Sequence, residues 1–159
     1  MILDKRILFL CLIGFGLSGC GDDNQSPDDA RTLWERINTE NYRNFSRAPG
    51  YETRQPSNAP HGESVDIYVN DTIQNVLDAG EAINTWPVGS LIIKDGFNAD
   101  GELEIVAVMD KQDDGWFYAE WIGLETDEAS YSGQPAVCVN CHATGADAIR
   151  AFGFPQNNP

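Results

Sequence analysis

Residues 90–121 read SLIIKDGFNADGELEIVAVMDKQDDGWFYAEW, and this stretch decides the fold. β-Branched and aromatic side chains are frequent in three segments, 90–94, 102–110 and 116–121, which is the composition expected of strands. The intervening loops contain Asp100-Gly101 and Asp114-Gly115, and Asp-Gly pairs are typical of tight hairpin turns. The stretch therefore predicts an antiparallel meander of three strands.

A fourth strand and a helix are predicted directly upstream of the meander. Val65, Ile67 and Val69 alternate with Ser, Asp and Tyr, which is the period of a strand with one buried face. Asn70 follows as a helix cap, and the helix should end at Gly80, because glycine adopts the left-handed conformation that closes helices. This segment extends the sheet to four strands.

The N-terminal part of the mature chain adds another helix. It should begin at Ser26-Pro27, since proline suits the first helical position, and run to about residue 39. Residues 44–62 are rich in proline and glycine and predict a loop ordered by packing. Four or more strands, mostly antiparallel, with a few short helices make one α+β domain. The buried stripe of the first helix should consist of Ala30, Leu33, Trp34 and Ile37.

The motif Cys138-Val139-Asn140-Cys141-His142 carries the chemistry of the chain. C-x-x-C-H is the spacing that attaches one haem c covalently through two thioethers, with the histidine as proximal ligand of the iron. A C-x-x-C redox pair and half of a zinc site are the alternatives, but no second C-x-x-C or H-x-x-x-H exists. After the motif, residues 143–152 predict a short helix that packs Ile149 against the core.

The first twenty residues predict secretion and a lipid anchor. Lys5 and Arg6 precede an apolar run over 7–17, which is too short to span a bilayer. The run ends in Leu17-Ser18-Gly19-Cys20, which resembles the lipobox of bacterial lipoproteins. We therefore expect a signal peptide over 1–19, a tether over 20–27 that starts at lipidated Cys20, and a haem domain over 28–159. An ordinary secretory signal with an incidental cysteine is the alternative.

This lipoprotein pattern also predicts a location. A lipidated protein stands on the periplasmic side of a bacterial membrane, attached by its acyl chains alone. Gly21 follows Cys20 where an aspartate would favour retention in the inner membrane, so the outer membrane is favoured. Asp22 and Asp23 weaken that assignment.

The charge of the chain restricts its partners. Ten Lys and Arg stand against 25 Asp and Glu, for a net charge of −15. Nucleic acid is therefore excluded as a partner, since it needs a basic surface. The same charge favours a cationic redox partner protein, or a cationic or neutral small substrate, although solubility alone also explains it.

The order of several motifs along the chain resembles the cytochrome P-460 family. These motifs are Tyr42-Arg43, Pro60-His61-Gly62, the segments 65–70 and 86–94, Trp116-Phe117-Tyr118 and the motif 138–142. The resemblance covers nearly the whole mature chain and implies a mostly antiparallel sheet, one five-coordinate c-type haem and a homodimer. The named enzymes of that family oxidise hydroxylamine and carry a lysine cross-linked to the porphyrin. The similar beta-type cytochromes c-prime lack this bond and bind nitric oxide.

The resemblance implies a role for Lys94. The family's lysine lies in a Gly-x-x-x-x-Lys segment, which residues 89–94 match. Strand alternation places Lys94 on the face of Ser90 and Ile92, where desolvation would lower its pKa and leave a nucleophilic amine. The alternative is a surface lysine at the end of a strand.

A second implied residue departs from the family pattern. The hydroxylamine-oxidising members place a carboxylate over the distal face of the iron, where it takes substrate protons. In this chain that position falls near Ala107, and Glu104 and Glu120 are the candidate substitutes.

The sixth position of the iron separates the functional classes. His61 or Met109 as sixth ligand would give a closed electron-transfer cytochrome. An open site is favoured. Candidates for its wall are Phe45, Phe97, Trp116 and Phe117, and the alternative is that these rings belong to the core, as rings at strand spacing more often do. We therefore predict a lipid-anchored mono-haem c-type cytochrome that binds or oxidises a small nitrogen species such as hydroxylamine or nitric oxide. A nitric oxide sensor or scavenger without turnover is the third alternative.

Overall fold

The computed structural model describes residues 25–125 and 127–155. It confirms an α+β fold with one seven-stranded antiparallel sheet, in which β1, β3, β4, β5, β6 and β7 follow one another and β2 also pairs with β3. The elements in chain order are α1 (Pro27–Thr39), a 3-10 turn (Tyr42–Asn44), β1 (Ser46–Arg47), β2 (Gln55–Pro56), β3 (Ser64–Val69), α2 (Asp71–Ala79), β4 (Leu91–Phe97), β5 (Leu103–Gln112), β6 (Gly115–Ile122), β7 (Tyr131–Gly133) and α3 (Ala136–His142).

The predicted meander is confirmed as β4, β5 and β6. Gly101, at φ +80°, lies in the turn between β4 and β5, and Gln112 pairs with Gly115 across the turn to β6. The two predicted helices before it are also confirmed. Asn70 accepts a hydrogen bond from the Ile73 amide at the start of α2, and Gly80 ends that helix at φ 63°.

The strand predicted over 65–69 is buried on both faces, so the expectation of one buried face was wrong. Asp66 and Tyr68 are buried along with their apolar neighbours. Asp66 tolerates this position because Arg47 and Arg54 both pair with its carboxylate.

The sheet separates two hydrophobic clusters. On one side, α1 packs Ala30, Leu33 and Ile37 against residues such as Ile93 and Val106. Trp34 is only partly buried, with its ring 4.6 Å from that of Trp121. The other cluster contains alternate residues of the same strands together with Trp86 and the C-terminal segment, and its members include Ile67, Ile92, Met109, Tyr118 and Ile149. The candidate site lies on this second side.

The segment 143–152 is not the helix that the sequence predicted. The helix is the haem motif itself, α3, which ends at His142. Beyond it, Ala146 and Ile149 form an isolated bridge, and Asp147 and Ala148 have φ values of 47° and 70°, which no right-handed helix accommodates. Ile149 does pack into the core, at 3% exposure.

Three short strands were not predicted. Residues 44–62, which were predicted as a loop, contain β1 and β2, and β7 lies between β6 and α3. Each is two or three residues long, which is too short for an alternation of apolar and polar residues to be recognised in the sequence.

The signal peptide, Cys20 and most of the tether lie outside the described residues. Among residues 25–125 and 127–155, no helix is long and apolar enough to cross a membrane.

Candidate functional site

The C-x-x-C-H motif forms the short helix α3, which begins after Pro135. Cys138 is partly buried and Cys141 is exposed, and neither forms a disulfide. The guanidinium of Arg150 donates to the Cys141 carbonyl at 3.2 Å and lies 3.1 Å from its sulfur. The motif therefore offers two thiols and an imidazole from one short helix.

His142 has the hydrogen bonding expected of a metal-binding imidazole. Its Nδ1 lies 2.9 Å from the Ala148 carbonyl oxygen, and because a carbonyl can only accept, Nδ1 carries the proton. Nε2 is thus left as the basic nitrogen. Burial lowers the pKa of His142, helped by the charges of His61, Lys94 and Arg150 and opposed by the bond to Ala148. The neutral imidazole that iron binds is therefore favoured.

Two adjoining concavities meet at His142. The inner cavity is small, about 60 Å³, and is lined by strands β4, β5 and β6 and by the C-terminal segment. The outer cleft is larger, about 400 Å³, and is lined by the loop 56–61. His61, Lys94, His142, Arg150 and Ala151 line both. The outer cleft alone is in the range that cofactor sites occupy.

A row of three residues crosses the sheet at the base of the inner cavity. Lys94 pairs with Ala107, and Ala107 pairs with Glu120, so their side chains share a face. All three line the cavity. Burial lowers the pKa of Lys94, and the Arg150 charge adds to this, while Glu120 and Cys141 raise it. The small Ala107 leaves a gap between an amine and a carboxylate.

The two candidate carboxylates differ in position. Glu120 lines the inner cavity, and its side chain is 12% exposed. Glu104 is exposed and borders a separate surface depression. Of the two, Glu120 is thus the one that lies beside Ala107 in the inner cavity.

His61 faces His142 across the site. The two ring centroids are 6.3 Å apart, and the planes are inclined by 50°. His61 Nδ1 lies 3.0 Å from Glu120 Oε2, but the N–H is not directed at that oxygen, so the contact is a close approach without a hydrogen bond. The His61 turn reaches this place because it packs on Gly96, where any Cβ would collide with the His61 carbonyl.

The remaining predicted residues divide between cavity and core. Met109 lines the inner cavity and is 8% exposed. The four candidate wall residues line neither concavity and belong to the buried interior or pack against it, so the core alternative holds for Phe45, Phe97, Trp116 and Phe117.

Tyr118 is the aromatic residue of the cavity, and sequence reasoning missed it. Its ring lies 5.3 Å from that of His142, and burial raises its pKa to about 12. The signal was available, because Tyr118 is two residues from Glu120 on the same strand and so shares its face.

Comparisons with known proteins do not identify the chain. No family model matches its sequence, and a search of the curated proteins finds no match. Within the described ranges, no group of three or more His, Cys, Asp or Glu side chains is arranged to hold a metal ion.

The residues present fit a haem c. Two thiols lie in the covalent-attachment spacing, and a neutral imidazole fixed through Nδ1 follows them directly. Beside them lie the small, mostly apolar inner cavity and the larger outer cleft, which meet at His142.

Proposed function

We propose that this chain is a mono-haem c-type cytochrome, with haem c attached at Cys138 and Cys141 and His142 as proximal ligand. The hydrogen bond from His142 Nδ1 to the Ala148 carbonyl carries this proposal. It fixes the tautomer that leaves Nε2 for iron, and such a partner is a regular feature of metal-binding histidines. A thiol redox pair has no need of an imidazole oriented in this way, and zinc needs a fuller ligand group than the described residues bring together.

We further propose that the site binds or oxidises a small nitrogen species such as hydroxylamine or nitric oxide. A haem held there would supply an iron that binds the ligand and accepts electrons. The protein's own contribution is the row Lys94, Ala107 and Glu120. Ala107 leaves room for a molecule of a few atoms, and Glu120 can take its protons. Nitric oxide binding without turnover is the alternative if Glu120 does not act as a base.

Lys94 is the proposed point of a second covalent bond to the porphyrin. That N–C bond would replace one N–H and one C–H bond, with the loss of two protons and of two electrons to an external two-electron oxidant. Its lowered pKa leaves a fraction of the amine neutral and nucleophilic. Tryptic digestion followed by mass spectrometry tests the bond. We expect one species in which a Lys94 peptide and the 138–142 peptide are joined through a single haem, and two separate peptides would contradict it.

A six-coordinate electron-transfer cytochrome is the second candidate, and the His61 geometry favours it. If both imidazoles bound one metal ion at about 2 Å, their ring centroids would be separated by roughly 6 Å. The observed separation is 6.3 Å, and the hydrogen bond from His142 Nδ1 to the Ala148 carbonyl leaves Nε2 of that ring for a metal. Met109 is a less suitable sixth ligand, because it belongs to the hydrophobic cluster.

The absorption spectrum of the reduced protein, with and without carbon monoxide, decides between these candidates. An open site predicts high-spin ferrous iron that binds carbon monoxide, whereas ligation by His61 predicts low-spin iron that resists it. Haem staining after denaturing electrophoresis tests attachment itself. Wild-type chain should stain, Cys138→Ala or Cys141→Ala should lose or weaken the stain, and an unstained wild type would refute the proposal.

The proposed cytochrome lies on the periplasmic side of a bacterial membrane and is held there by acyl chains on Cys20. The outer membrane is the favoured location. Its net charge of −15 suits a cationic redox partner, and the family resemblance suggests a homodimer.

A further inference from the structure

The segment after the haem motif, residues 143–149, forms a tight loop that presents a carbonyl to His142; we call it the proximal loop. The Gly145 amide donates to the His142 carbonyl at 3.0 Å, and the Ala146 amide donates to the Ile149 carbonyl at 2.8 Å. Asp147 and Ala148 both have positive φ values, which side chains other than glycine rarely adopt. This conformation turns the Ala148 carbonyl towards His142, and it must be stabilised from outside the loop.

Asp147 supplies that external support. Its carboxylate accepts hydrogen bonds from the Trp86 amide at 2.8 Å and from the Thr85 hydroxyl at 2.8 Å. Lys111 Nζ on β5 donates to both carboxylate oxygens, at 3.0 and 3.1 Å. Burial raises the pKa of Asp147, but these hydrogen bonds and the Lys111 charge outweigh it and lower the pKa. The carboxylate therefore joins the proximal loop to the sheet.

The Trp86 side chain adds a second attachment. Its indole N–H donates to the Ala146 carbonyl at 3.1 Å, and its ring is 1% exposed. Trp86 also packs edge to face on Phe152, with 5.7 Å between ring centroids. The proximal loop is thus held at Ala146 and Asp147, the two residues that precede Ala148.

We propose that Asp147, with Lys111 and Thr85, is a positioning group that fixes the Ala148 carbonyl on His142 and so sets how strongly His142 donates electrons to iron. The inference rests on the proposed haem attachment. A strong acceptor on Nδ1 gives the imidazole more anionic character, which stabilises ferric iron and lowers the reduction potential. A loosened proximal loop weakens this bond, and the potential rises.

Three variants separate positioning from simple electrostatics. Asp147→Asn removes a negative charge, Lys111→Met removes a positive charge, and Thr85→Val removes a hydroxyl without changing charge. If charge alone acts, loss of Lys111 lowers the potential and loss of Thr85 leaves it unchanged. If positioning acts, all three variants raise it. Asp100→Asn, at an exposed turn, is the matched control for charge loss and should not move the potential.

The measurements are spectroelectrochemical titration of the haem protein and nitrogen-15 NMR of the His142 ring in the haem-free chain. We expect a raised potential in Asp147→Asn, Lys111→Met and Thr85→Val, and a shift of His142 from the Nδ1–H tautomer towards Nε2–H, which free imidazole side chains prefer. A lowered potential in Lys111→Met, or an unchanged tautomer in all three variants, would overturn the inference. A chain without bound haem refutes the proposed function, yet the NMR result still tests the proximal loop.

Discussion

Replacement of Glu120 by glutamine tests the proposed chemistry most directly. Glu120→Gln keeps the size of the side chain and removes its charge, so the packing of the inner cavity should persist. Among the described residues, Glu120 is the only carboxylate that lines the inner cavity or the outer cleft. The part of the chain that the structure describes therefore places no second carboxylate there to accept the protons of a bound substrate.

The size of the effect follows from the neighbours of Glu120. A positioned acid or base contributes about 10²-fold to 10⁴-fold to a rate. His61 Nδ1 lies 3.0 Å from the Glu120 carboxylate, and this imidazole can replace part of its function. We therefore expect hydroxylamine oxidation to fall by roughly 100-fold in Glu120→Gln, near the lower end of that range. The double change with His61→Gln should approach the upper end.

The assay is steady-state oxidation of hydroxylamine with a dye acceptor, normalised to haem content. Glu104→Gln is the matched control, since Glu104 is exposed and does not line the cavity. Nitric oxide affinity should be unchanged in both variants, because its binding moves no proton. Wild-type turnover in Glu120→Gln, or an equal loss in Glu104→Gln, would refute the role of Glu120 as base.

Three further predictions concern the His61 turn, the lipid anchor and the amine. In Gly96→Ala the new Cβ would lie 1.9 Å from the His61 carbonyl oxygen, so the turn must retreat by roughly 1 Å. If the site is open, the absorption spectrum should show that the spin state of the iron is unchanged. A gain of high-spin iron would instead identify His61 as a ligand. Cys20→Ser should release the protein into the soluble fraction on cell fractionation, and continued membrane association would mean another anchor. Lys94→Ala should give an ordinary haem c spectrum and lose hydroxylamine oxidation, and unchanged turnover would exclude a role for the amine.

Sequence periodicity predicted the meander because its strands are long and their turns carry Asp-Gly pairs. Helix-start signals also predicted α1 and α2, because α1 begins at Ser26-Pro27 and α2 begins after the cap residue Asn70. The helix predicted over 143–152 failed for a physical reason. The proximal loop is held by tertiary hydrogen bonds from Thr85, Trp86 and Lys111, which no local pattern reveals. Tertiary contacts here override local propensity.

The sequence predicted most residues of the candidate site, but only part of their arrangement in space. Strand alternation predicted that Lys94 lies on the face that lines the cavity, and the strand register places Glu120 beside Ala107 on the same face. The approach of His61 to His142 was not predictable, because it depends on the packing of a loop against Gly96.

The overall charge and the local charge of the site have opposite signs, and this bears on the class of substrate. The chain carries a net charge of −15, so an anion is repelled at long range. The cavity is lined by the cationic groups of Lys94 and Arg150 against a single carboxylate, Glu120, so a cation is opposed at short range. A neutral molecule meets neither barrier. Nitric oxide and the free base of hydroxylamine are neutral, whereas nitrite is an anion and should enter more slowly. Added salt should then accelerate nitrite binding and leave nitric oxide binding unchanged, because salt screens only the long-range field.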